Sequence, residues 1–157
     1  PGLRTVKAAV SEAGGGNIMR LGLHLSMSRG LKKTLQEALD LNCNTLQIFS
    51  KNPRSWRVSA FDEEGAAYVK ANKGAMGVAP WAVHVTYLIN PATPDPLLYE
   101  KSLQSLFVEL ERSLAMGADY FVIHAGNRKD SSVDSAIARL AEDLGTCNGK
   151  IWRSDQD

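Results

Sequence analysis

The sequence predicts an α/β protein built on a parallel sheet, and three observations carry that prediction. Short apolar segments alternate with amphipathic ones four times in succession from Met19 onward. The strand-like segments are runs of apolar residues, as in sheets that helices cover. Consecutive βα units of this kind argue for parallel strands joined by helical crossovers.

The first strand is expected over residues 19–26 (MRLGLHLS). A helix follows over residues 28–42, with Leu31, Leu35, Ala38 and Leu39 on one face and Ser28 as its candidate cap. The second strand is TLQIFS, residues 45–50. Its helix spans about residues 62–73, with Asp62 as cap and Gly74 as stop. The third strand lies over residues 78–85. A Pro-rich loop, NPATPDP, leads into a long helix over about residues 97–116, closed by Gly117. YFVIHAG, residues 120–126, is the fourth strand, and residues 132–144 form the fourth helix, with Gly145 after it. Residues 1–18 read as a flexible leader, with Met19 a plausible natural start. Residues 147–157 read as an irregular tail in which KIW could be the remnant of a further strand.

With 157 residues the chain can bury a core, but a closed (β/α)8 barrel typically needs about 250. A net charge of +1 points neither toward nor away from nucleic acid, so any binding face must come from local clustering. No run approaches the about 20 apolar residues of a membrane span, and the N-terminus lacks a signal-peptide core. The two cysteines, Cys43 and Cys147, have no metal-binding spacing. Cys43 reads as a buried thiol, and a reducing, cytoplasmic setting is expected.

All three histidines, His24, His84 and His124, fall near the C-terminal ends of predicted strands, the edge that carries active sites in parallel α/β folds. Each alone reads as a partly buried histidine with a backbone partner. His84 and His124 together read as metal ligands, histidine being the commonest zinc ligand. His24 keeps the structural reading. The loop FSKNPRSWR, residues 49–57, places Lys51, Arg54 and Arg57 around Asn52 and Trp56. Cations interleaved with an aromatic suit phosphate contact plus stacking, and equally suit a solvated basic loop anchored by Trp56. In HVTYLIN, residues 84–90, Tyr87 and Leu88 could wedge into a base stack or simply pack the loop. Gly126 lets the backbone turn close to a ligand.

Taken together, these segments resemble the endonuclease IV family of apurinic/apyrimidinic endonucleases. The family's G-x-H-x-S strand and the glycine that starts its helix are matched by Gly22, His24, Ser26 and Gly30. Its F-x-K-N-x-R-x-W loop is matched by Phe49, Lys51, Asn52, Arg54 and Trp56. Its H-x-x-Y-L-I-N segment is matched by His84, Tyr87, Leu88, Ile89 and Asn90, and its H-P-G strand end by His124, Ala125 and Gly126. The likeness covers about residues 19–145. It implies a TIM barrel, here the N-terminal half over residues 19–146, truncated to about four βα units. It also implies a trinuclear zinc cluster whose activated water cleaves double-stranded DNA on the 5′ side of abasic sites. By position, His84 and His124 match two zinc ligands that share one metal. Arg54, Tyr87 and Leu88 match residues that penetrate the duplex, and Asn52 and Trp56 belong to the same DNA-binding loop. Ala125 replaces the family's proline, and the bridging glutamate and the remaining ligands have no counterpart before Asp157. The catalytic site is therefore expected to be incomplete, activity impaired, and the open barrel edge a place for self-association. A sugar isomerase or epimerase of the xylose isomerase-like barrels, and a non-catalytic DNA-binding fragment, are the alternative readings.

Overall fold

The computed structural model describes residues 19–154, with side-chain surroundings through Thr146. The expected leader, residues 1–18, lies outside the described residues, as does the side chain of Cys147. Four strands, β1 (Gly22–His24), β2 (Thr45–Phe49), β3 (Trp81–His84) and β4 (Tyr120–Val122), form one sheet in chain order. Every pairing is parallel, with His24 beside Gln47, Phe49 beside His84 and His84 beside Val122. Helices α1 (Leu31–Asp40), α2 (Glu63–Asn72), α3 (Pro96–Ala115) and α4 (Val133–Ser154) follow the strands in turn. This is the expected sequence of four βα units, the arrangement of about half a TIM barrel.

The strands differ from expectation in extent, β1, β3 and β4 being shorter than expected, and in burial. Burial alternates along β2 and β3: Leu46, Ile48, Trp81 and Val83 are buried, while Gln47, Phe49 and His84 are only partly so. The first set meets Leu31, Leu35 and Ala38 of α1 and Ala66 and Val69 of α2 in one core. A second cluster, Val85, Ile89, Leu106 and Leu110, lies between the start of the β3–α3 loop and α3. The apolar runs thus reflect a strand face bedded on helices and an opposite face that carries Gln47, Phe49 and His84.

Caps account for most helix starts. Asp62 accepts from the Gly65 N–H at the start of α2, as expected, and Asp95 accepts from Leu97 and Leu98 with Pro96 at the first helical position. Ser28 does not cap α1: its hydroxyl receives a hydrogen bond from that of Ser26, and Gly30 stands at the cap position. The Leu31 N–H is met instead by the second oxygen of Asp62, so one carboxylate serves two helices. The tail expected to be irregular is helical through Ser154. A glycine inside a helix costs only about 1 kcal/mol, so Gly145 does not stop α4 where no cap accompanies it. Cys43 is buried and free, as expected. Among the described residues no helix is long and apolar enough to cross a membrane.

Candidate metal and nucleic-acid site

The three histidines gather at the C-terminal rim of the sheet, on the face away from the helices. His84, at the last position of β3, is fixed by a bond from its Nδ1–H to the Val85 carbonyl at 2.6 Å. That bond sets the tautomer and leaves the His84 Nε2 lone pair free to accept. The Nε2 of His124 lies 3.0 Å away, just beyond the end of β4. Two nitrogens bound to one tetrahedral zinc at about 2.05 Å would be about 3.3 Å apart, so the pair is spaced for two corners of such a site. Among the described residues no set of three or more His, Cys, Asp or Glu side chains comes together to complete it.

His24 stands two strands from His84, at the end of β1, its ring 4.3 Å from that of Phe49 on β2 and 6.5 Å from that of His84. The Gln47 amide meets its Nδ1 at 2.9 Å. Burial, with the neighbouring His84 as a smaller cause, holds the His24 imidazole below the usual histidine range. His24 is exposed by surface area, and its partner is the Gln47 side-chain amide rather than the backbone partner expected. It borders a cavity of about 660 Å³ between the first two strand-end loops, lined also by Ser26, Gly30, Asn52 and Asp62.

The two loops singled out in the sequence rise beside the histidine pair. Tyr87 is 66% exposed, its ring edge-on to Phe49 at 5.1 Å. Leu88 is half-buried, and Ile89 below it is anchored in the second core cluster. Arg54 is exposed, at the tip of a turn that Asn52 folds by accepting from the Arg54 N–H at 3.0 Å. Trp56 packs against the second core cluster and is half-buried, which supports its anchoring role. Lys51 fits neither reading of its loop, phosphate contact or a solvated basic face. Its side chain is buried, and its Nζ donates to the Ser55 carbonyl at 2.9 Å and lies 3.8 Å from Glu109.

Contacts that the sequence reading missed hold these loops. Asn90 donates to the Asn127 carbonyl and accepts from the Asn127 N–H at 2.7 Å, clipping the β3 loop to the β4 loop. Glu109 and Arg112 of α3 lie beneath both loops. The signal for them was present: Glu109 falls on the stripe Ser102, Ser105, Leu106, Leu110 and Ser113, whose spacing marks the inward face of α3.

The family model for the xylose isomerase-like TIM barrel matches residues 35–150. The chain belongs to that family. It is 38% identical over 88% of its length to "Probable endonuclease 4" of Halothermothrix orenii, spanning 50% of that protein. It is likewise 38% identical to the protein of the same name from Methanoculleus marisnigri, over 80% of this chain and 47% of that one. The chain thus spans about half the length of these relatives. Crystallised endonuclease IV from Thermus thermophilus superposes with a TM-score of 0.67 at 30% identity, over 83% of this chain and 48% of that structure. The resemblance to endonuclease IV drawn from the sequence motifs is therefore upheld. A xylose isomerase domain protein from Planctomyces limnophilus superposes with a TM-score of 0.56 at 18% identity, which shares the fold.

Proposed function

We propose that this chain forms the lesion-recognising half of an endonuclease IV-type DNA-repair site. The observation that supports this most directly is the His84–His124 pair with the exposed Tyr87 ring 6.4 Å from that of His84, at the strand ends from which the loop of the exposed Arg54 also departs. In this reading Arg54 contacts the phosphate backbone, and Tyr87 with Leu88 enters the base stack at an abasic gap. Asn52 and Trp56 shape and anchor the loop that presents Arg54. His84 and His124 hold one zinc ion, the Nδ1–H bond to Val85 orienting His84 from behind. Bound zinc supplies a Lewis acid and an activated water for phosphodiester hydrolysis. Two histidines fall short of the three or four protein ligands zinc takes, so this chain's own residues account for recognition better than for cleavage. The 38%-identical relatives named endonuclease 4 favour this reading over a sugar isomerase, for which the fold alone speaks.

The proposed partners are duplex DNA carrying abasic sites and a second copy of this chain. The outer edges of β1 and β4 have no strand partner among the described residues. Leu21 and Leu23 at β1, and Ile137 on α4, are each more than half exposed. Pairing β4 of one copy with β1 of the next, twice over, gives eight parallel strands in a closed ring. It lays α4 of each copy over the exposed leucines of the other.

The test is binding and incision of a duplex carrying one abasic-site analogue, with added zinc and with a chelator. Zinc-strengthened preference for the abasic duplex over the intact one is expected, reduced about tenfold or more by Arg54→Ala or Tyr87→Ala. A folded sample with no such preference overturns the proposal. Chelator-sensitive cleavage 5′ to the lesion would extend it, showing a complete site in the assembled protein.

A further inference from the structure

Glu109 is fully buried on α3, where a charge is costly unless its surroundings repay it. Its carboxylate accepts from the Thr86 N–H at 3.1 Å and the Thr86 hydroxyl at 2.8 Å. It also accepts from the Ser50 hydroxyl at 3.3 Å and from the Ser105 hydroxyl at 3.5 Å, with the Lys51 ammonium 3.8 Å away. Ser50 and Lys51 open the β2–α2 loop, and Thr86 opens the β3–α3 loop. Arg112, one turn further along α3, donates to the carbonyls of Ser50 and Ser59, at the two ends of the β2–α2 loop. Apart from Trp56, which packs against the second core cluster, the two loops are joined through this carboxylate. Burial pushes the Glu109 carboxyl up, against the pull of Thr86 and Lys51, and pushes the Lys51 ammonium down. Such a network is costly to assemble, and a merely space-filling role would be met by an apolar side chain.

We infer that Glu109 is a positioning residue that couples the two loops, holding Arg54 and Tyr87 at a fixed spacing through Ser50 and Thr86. The DNA-binding part of this inference rests on the function proposed above; the coupling itself does not. Arg112 completes the clamp by holding both ends of the β2–α2 loop.

Hydrogen exchange on the DNA-free chain tests the coupling. In Glu109→Ala, amides over residues 50–59 and 86–90 should exchange about tenfold faster, while those of α1 stay within about twofold of the parent. Glu109→Gln keeps an acceptor for the Thr86 N–H and an amide donor for its hydroxyl, and should restore most of the protection. Unchanged loops in Glu109→Ala, or equal acceleration in α1, would overturn the inference. Should Glu109→Ala not fold, Ser50→Ala and Thr86→Val carry the test: each must loosen its own loop, and the inference fails if neither does. In the DNA arm, Glu109→Ala should lose the preference for the abasic duplex and Glu109→Gln keep it. A parent chain without that preference sinks the proposed function but leaves the exchange result to decide the coupling. A parent with the preference and an unaltered Glu109→Ala sinks the positioning role.

Discussion

A methyl group at position 126 would lie 2.1 Å from Asn90 Oδ1, inside any real contact, on a backbone whose φ of +87° already favours glycine. Gly126→Ala should therefore break the Asn90–Asn127 clip and destabilise the chain by about 1–3 kcal/mol, read as a lowered urea midpoint. An unchanged midpoint would mean that the clip is dispensable. Of the residues singled out in the sequence, His84 and His124 were legible because a strand end fixes where a side chain goes. Gly126 was legible because a turn beside a strand end asks for it. Lys51 was misread: a charge in a polar loop looks exposed, and nothing local shows that a carboxylate 58 positions later lies beneath it. Ion pairs across such separations are tertiary facts. Glu109 escaped notice for the same reason, although its place on the inward stripe of α3 was visible.

Elements are tied at their ends in ways that periodicity cannot show. The α2 helix ends near Lys73, which forms an ion pair with Asp119 at the start of β4, and Asp119 also accepts from the Trp81 N–H at 2.6 Å as β3 begins. Burial alone would raise the Asp119 carboxyl, but the bonds from Lys73 and Trp81 outweigh it and hold it below the usual aspartate range. A carboxyl depressed in the folded state lends stability above the ordinary aspartate pKa of about 3.9, which is lost as pH falls through the lower folded value. The urea midpoint should thus decline below about pH 4, and Asp119→Asn, which keeps an acceptor for Trp81 but not the charge, should flatten that decline. Parallel acid curves for the two chains would discount the pair. The order and type of all eight elements were readable from the alternation of apolar and amphipathic segments and from the cap Asp62; the cap Asp95 was not singled out. Their ends were less so. The cap of α1 comes from another βα unit, and α4 runs through a glycine that in sequence resembles a stop.

For the whole molecule, the half-length match to its relatives and the apolar edges make association the property to measure first. Light scattering should give a mass above the 17.1 kDa of one chain and rising with concentration, lowered by Leu23→Glu at the β1 edge. A constant 17.1 kDa would remove the second copy as a partner. The sheet order has a separate consequence. Each strand after the first pairs with the strand that precedes it in the chain, and one helix lies between the two in sequence. During synthesis, every strand after the first therefore emerges to a waiting partner in the sheet. The polypeptide can be laid down in the order in which the ribosome writes it, one unit closing on the last.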